Sequence, residues 1–223
     1  MVDEEGMVDE LERRRAQLEA LEAQVRCCTR CPLSTTRIHA VPGEGPIDAA
    51  IMFIGEGPGG TEDRTGRPFV GAAGQFLEAL LASIGLTRED VYIANVVKCR
   101  PPANRDPLPN EIDACKPYLA HQLGIIDPEV IVTLGRFAME RWLPDKRITR
   151  VRGQAFRHGR RLIVPMLHPA AALHRPQWRP LIEEDFLLLP GYIDKARRMR
   201  AGEDVAVEDA VQQEESAMQQ RLL

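Results

Sequence analysis

AIMFIGEGPG, residues 50–59, decides the fold: an apolar run of strand length breaks directly into a turn of glycines, a glutamate and a proline. A short unbroken apolar run bounded by turn signals suits a strand buried on both faces, as in parallel sheets. Three more segments repeat the pattern. VYIA (91–94) runs into Asn95, VIVTL (130–134) meets Gly135, and LIVPML (162–167) meets His168 and Pro169. Helical stretches lie between them. Phe76, Leu77, Leu80, Leu81 and Ile84 make one apolar face ending at Gly85, residues 110–126 predict a helix capped by Asn110, and residues 136–143 a short third one. Strands alternating with helices imply right-handed crossovers and a mostly parallel sheet. In such a sheet the ligand crevice lies outside the carboxyl ends of the strands, so Gly55, Asn95, Gly135 and His168 are expected at one edge.

A chain of 223 residues that is 44% apolar is long enough for one well-buried domain with extensions. The expected division is an acidic helical extension over residues 1–24, the main domain over 25–195 and a charged tail over 196–223. Leu11, Leu18, Leu21 and Val25 stand at helical spacings among charges and predict an amphipathic helix over 8–26. No stretch approaches the roughly 18 consecutive apolar residues of a membrane span, and the N-terminus is acidic where a secretory signal is basic. A cytoplasmic chain is expected.

The net charge of −4 hides an uneven distribution. Residues 1–24 and 202–223 each carry −5, which leaves +6 for the segment between them. Residues 146–182 hold nine Lys or Arg and no acid. A basic stripe beside a candidate site suggests a phosphate-bearing partner, against the alternative of a solvated basic hairpin.

Four of the five cysteines form a pattern: Cys28 and Cys31 as a close pair, then Cys99 and Cys115 far along the chain. Four sulfurs suit a zinc ion or a cubane iron–sulfur cluster, and the spacing alone does not separate the two. A disulfide framework is not expected in a cytosolic domain of this size. Cys27 is left over.

The blocks GEGPGGTEDRTGRPFVGAAGQFLEALL (55–81), YIANVVKCRPPANRDPLPNEIDACKPYL (92–119) and MLHPAAAL (166–173), with the cysteine spacing, resemble the family 4 uracil-DNA glycosylases, the iron–sulfur branch of that superfamily. The resemblance spans about residues 20–190. It implies a three-layer α/β/α sandwich around a central four-stranded parallel sheet, with a [4Fe-4S] cluster on Cys28, Cys31, Cys99 and Cys115. The implied activity is hydrolysis of the N-glycosidic bond of deoxyuridine in DNA, and the implied partner uracil-containing DNA met by a monomer.

The same resemblance assigns roles. Phe69 is expected to stack on the flipped base, Asn95 to read the N3–H and O4 of uracil, and His168 to stabilise charge on the departing ring. Glu56, with Gly57 and Pro58 in the first turn, is the expected base or electrostatic partner of the sugar. Gly57 stands where better-known uracil glycosylases carry the aspartate before the proline, and Gly59 where they carry the tyrosine that excludes thymine. Leu173 is the expected wedge in the minor groove, and Arg150, Arg152 and Arg175 the expected phosphate contacts. A binder that traps uracil-DNA covalently through a histidine in a basic loop is the competing reading; the loop CRPPANRDP (99–107) carries no such histidine.

Overall fold

The computed structural model describes residues 4–209. Four parallel strands form its centre: β1 (Ile51–Gly55), β2 (Val91–Asn95), β3 (Val130–Leu134) and β5 (Arg161–Met166), in the order β2-β1-β3-β5. Every residue of the first three is buried, which is why their sequences run apolar without alternation. On one face lie α3 (Ala72–Ser83), α8 (Arg179–Phe186) and α9 (Leu189–Arg200), burying Leu77, Leu80, Ile182, Phe186 and Leu189. On the other lie α1 (Glu4–Arg26) and α4 (Pro109–Ile126), burying Leu18, Leu21, Val25, Leu119 and Leu123. The expected three-layer α/β/α sandwich is therefore present.

The sheet is larger than the four strands expected. β4 (Phe156–His158) pairs antiparallel with β5, and β6 (Glu208–Asp209) pairs with β4, giving six strands among the described residues. Pro165 sits inside β5 without breaking it, because β4 pairs only as far as Ile163 and the missing N–H falls where no neighbour needs it. The chain leaves β1 for β2 on one side and crosses back to β3 on the other. The carboxyl end of β1 is thus the switch point, where such sheets place their ligand crevice.

Several details differ from expectation. The helix predicted from residue 110 starts at Pro109, and its cap is the Glu111 carboxylate, which accepts the Leu108 N–H at 2.7 Å; Asn110 lies inside the first turn. Arg105 grips that carboxylate at 2.7 and 2.9 Å and holds its pKa below the usual range despite burial. α5 (Arg136–Met139) is half the length predicted. The N-terminal helix is joined firmly to the domain: Arg14 donates to the carbonyls of Ile125, Ile126 and Ile47 at 2.6 to 2.8 Å, satisfying the open end of α4. α9 runs to Arg200 and buries Met199, and Val205 is buried beyond it, so the core continues past residue 195. The rest of the predicted tail, residues 210–223, lies outside the described residues. Among the described residues no helix is long and apolar enough to cross a membrane.

Phe53 of β1 and Phe186 of α8 stack with ring centroids 5.8 Å apart, both fully buried. Replacing Phe186 by Ala is expected to lower the unfolding free energy by about 3–5 kcal/mol, measured by denaturant titration. A loss below about 1 kcal/mol would show that this layer contact is dispensable.

Candidate active site

The register brings the strand tips together. Gly55 stands beside Asn95, and the Gly135 N–H donates to the Met166 carbonyl at 2.8 Å, placing Gly135 next to His168. A Cβ on Gly135 would lie 3.3 Å from that of His168, and one on Gly55 only 2.4 Å from Asn95 Oδ1 and 2.7 Å from the Phe69 ring. Phe69 in turn stacks on His168 with centroids 5.4 Å apart and planes 26° from parallel. Phe69, Asn95 and His168, 99 residues apart in order from first to last, thus share one small space.

Asn95 is 1% exposed, and its Oδ1 is buried with no hydrogen-bond partner. A buried carbonyl oxygen without a donor is costly, and it can accept from a donor outside the chain. Its backbone carbonyl accepts from the buried Lys98 amine at 2.9 Å, which also donates to Gln122 at 2.6 Å.

His168 is half-buried at the start of the turn leading to α7 (Ala170–His174). Its Nδ1 accepts the Ala170 N–H at 3.1 Å, which assigns the proton to Nε2. Desolvation pushes its pKa down to about 4, the charge of Glu62 pulling weakly upward. At neutral pH the ring is therefore an uncharged donor.

Phe69 adopts a left-handed backbone, φ +50°, unusual for a bulky residue. Glu62, in α2 (Gly60–Thr65), accepts the Val70 and Gly71 N–H groups at 3.0 and 2.8 Å and closes this turn. Gly74 allows it, since a Cβ there would come within 1.9 Å of the Phe69 carbonyl oxygen. Glu62 is not among the residues that the sequence pattern singles out. A carboxylate that bonds backbone leaves no spacing signal, although it lies inside the first quoted block.

Glu56 is half-buried, its pKa raised first by burial and next by Asp106, with Arg136 opposing. Asp106 and Arg136 pair at 2.8 Å beside it. Gly57 presses on Val97, where a Cβ would approach to 2.7 Å, and Pro58 is buried. The carbonyls of Gly55 and Glu56 accept the Val96 and Val97 N–H groups at 2.9 and 3.0 Å, tying the first turn to the end of β2.

Leu173 on α7 is half-exposed, and Arg175 beside it is exposed, its guanidinium over the Trp178 ring. Arg150, on α6 (Ile148–Val151), is also exposed. Arg152 differs from expectation: it turns inward and donates to the buried Asp185 at 2.6 Å and the Leu181 carbonyl at 3.0 Å. Its Nη1 fastens α8.

Cys28, Cys31, Cys99 and Cys115 line one pocket between α1, α4 and the segment after β2, and all five cysteines are free thiols. Burial pushes Cys99 up to about 11 and raises Cys115. Donors nonetheless aim at the sulfurs: Arg37 at Cys99 (3.0 Å), the Lys98 N–H at Cys115 (3.4 Å) and the Arg30 N–H at Cys28 (3.5 Å). The two thiols that burial raises, Cys99 and Cys115, each accept from a donor, which fits a site whose thiolates form when metal binds. Among the described residues no three His, Cys, Asp or Glu side chains close to the spacing of a single-ion shell.

The family model described as Uracil DNA glycosylase superfamily matches residues 42–187. The chain is 48% identical over 180 residues to the type-4 uracil-DNA glycosylase of Sulfurisphaera tokodaii, covering 76% of this chain and 81% of that protein. It is 48% identical to that of Archaeoglobus fulgidus over 178 residues (76% and 89%) and 45% identical to that of Thermotoga maritima over 187 residues (82% and 97%).

With a folded-state pKa near 4 against an ordinary value of 6.5, the unfolded chain binds a proton at His168 that the folded chain refuses between these pH values. Stability attributable to His168 is complete above pH 6.5 and falls as pH drops toward 4. Nitrogen-15 shifts of His168 are expected to report the neutral Nε2–H tautomer down to about pH 5. A titration midpoint near 6.5 would overturn the assignment.

Proposed function

This chain belongs to the uracil DNA glycosylase superfamily, in its type-4 branch, and is a uracil-DNA glycosylase; we propose that Asn95, His168, Phe69 and Glu56 carry its reaction on uracil in DNA. The observation that carries the assignment is the unpartnered, buried Oδ1 of Asn95 beside the Phe69 ring.

The target base of a duplex is shielded by stacking, so it is everted into the crevice at the strand tips. Phe69 stacks on its face, a contact worth ~1–3 kcal/mol that does not discriminate among bases. Discrimination falls to Asn95. Uracil N3–H donates to Oδ1 and O4 accepts from the amide nitrogen, whereas cytosine presents the reverse pattern and leaves buried groups unpaired.

As the glycosidic bond breaks, its electron pair stays with the base and negative charge collects on the ring. The Nε2–H of neutral His168 donates to O2 and stabilises that charge more than the neutral ground state. Glu56, on the turn leaving β1, serves as the carboxylate for the positive sugar or orients the attacking water, whose hydroxyl ends on C1′ and whose proton is released. Gly57 and Pro58 shape the wall of the turn on which Glu56 rides.

Outside the crevice, Leu173 is the wedge that fills the gap left by the everted base, and Arg150 and Arg175 contact phosphates. Arg152 is reassigned to holding α8. The chain acts as a monomer in the cytoplasm, where thiols stay reduced, in keeping with five free cysteines. Cys28, Cys31, Cys99 and Cys115 would hold a [4Fe-4S] cluster. Such a cluster is a structural staple, since hydrolysis of this bond transfers no electrons. A DNA trap without turnover is disfavoured, because residues 99–107 supply no histidine to attack the sugar.

Incubation with a uracil-containing oligonucleotide, then alkali and a denaturing gel, is expected to give strand breaks at uracil. His168→Ala is expected to slow cleavage by roughly 10²–10³-fold with binding retained, and Asn95→Asp to gain activity on cytosine. A protein–DNA adduct surviving the gel would replace hydrolysis by trapping. For the cluster, purified protein is expected to be brown with absorbance near roughly 400 nm and to contain iron. A colourless, zinc-containing protein would overturn that choice.

A further inference from the structure

The turn that carries Phe69 is held from behind by a residue the reaction scheme does not use. Arg88, in the short turn before β2, is only 11% exposed. Its Nη2 donates to the Pro68 carbonyl at 2.6 Å and its Nη1 to the Phe69 carbonyl at 2.8 Å. Two carboxylates steady the guanidinium from farther away, Glu44 at 3.4 Å and Glu78 at 3.3 Å. The short contacts thus go to backbone carbonyls and the longer ones to the acids, so the guanidinium is aimed at the turn first.

Glu44 adds a second link. Its backbone exchanges hydrogen bonds with Ile93 in both directions, at 2.9 and 2.7 Å, two residues before Asn95 on β2. Arg88 therefore ties the turn of the stacking ring to the strand of the base-reading amide. On the opposite side Glu62 takes the N–H groups of Val70 and Gly71, and Gly74 lets the Phe69 carbonyl pack against α3. A bulky residue at positive φ persists only where its surroundings over-determine it. Here carbonyls and amides of one four-residue turn are gripped by opposite charges on its two sides.

We propose that Arg88 is a positioning residue of the reaction: by holding the Pro68 and Phe69 carbonyls it keeps the Phe69 ring in the plane on which the everted base stacks. This rests on Phe69 being the stacking surface. Lysine at position 88 keeps the cation for Glu44 and Glu78 but cannot serve both carbonyls with a planar fork. Without the fork the ring leaves its plane, and stacking weakens while Asn95 and His168 remain in place.

A double-mutant cycle tests it, with kcat, KM and inhibition by free uracil measured for wild type, Arg88→Lys, Phe69→Ala and the pair. Arg88→Lys is expected to lose about tenfold in kcat/KM and to weaken uracil inhibition by a similar factor. In the Phe69→Ala background the same change is expected to cost less than about twofold, because the effect runs through the ring. Wild-type behaviour of Arg88→Lys, or factors that multiply in the pair, would sink the proposal. A lowered melting temperature with unaltered uracil inhibition would do the same, marking Arg88 as merely structural. Full activity and full uracil inhibition in Phe69→Ala would instead remove the stacking role itself, and the Arg88 role with it. Should Arg88→Lys not fold, Arg88→Gln, neutral and with one amide donor, enters the same cycle with the same expectations.

Discussion

Position 55 is where β1 ends, and the register of β1 against β2 puts the Asn95 side chain directly over it. Any side chain there would meet Asn95 Oδ1 at 2.4 Å and the Phe69 ring at 2.7 Å. The space that a hydrogen atom leaves in place of a Cβ is shared by the amide and the ring, and His168 closes the group from β5. The rest of the site follows from that close approach. Asn95 is buried deeply enough to lose its water, and Phe69 is drawn into a left-handed backbone that its neighbours must hold.

Burial then sets the chemistry. Desolvation turns His168 into a neutral donor, and the Ala170 N–H chooses which nitrogen carries the proton. The same exclusion of water makes an unpaired amide oxygen costly, since no solvent compensates for a missing donor. Polarity at these tips is costly to the fold.

The cysteine pocket is coupled to this arrangement by one lysine. Lys98, fully buried beside Cys99, has its pKa lowered to about 7 by burial and donates to the Asn95 carbonyl and to Gln122. Gln122 passes the contact on to the Tyr92 hydroxyl and the Pro42 carbonyl. Whatever fixes Cys99 and Cys115 therefore also fixes the turn leaving β2. The cysteine pocket thus reaches Asn95 through a single residue, whose N–H meets Cys115 Sγ and whose amine meets the Asn95 carbonyl.

Strand positions, their parallel order and the gathering of Asn95 and His168 were legible because unbroken apolar runs ending in polar tips permit little else in a sheet covered on both faces. Cys28, Cys31, Cys99 and Cys115 were legible as one group because a close pair and two distant thiols can fold to a common point, and they line one pocket. Asn110 misled as a cap because Pro109 is already compatible with a helix start and Glu111 supplied the acceptor. The Arg152–Asp185 pair was not legible, because charge along the chain does not tell which arginine has a buried aspartate to meet. Glu62 and Arg88 were invisible for a related reason: they bind backbone atoms of a turn far away in sequence, and such bonds leave no period or spacing. The sequence alone thus determined which residues stand at the strand ends. Only the tertiary structure decided which acids and bases hold them there, because those partners are selected by distance in space.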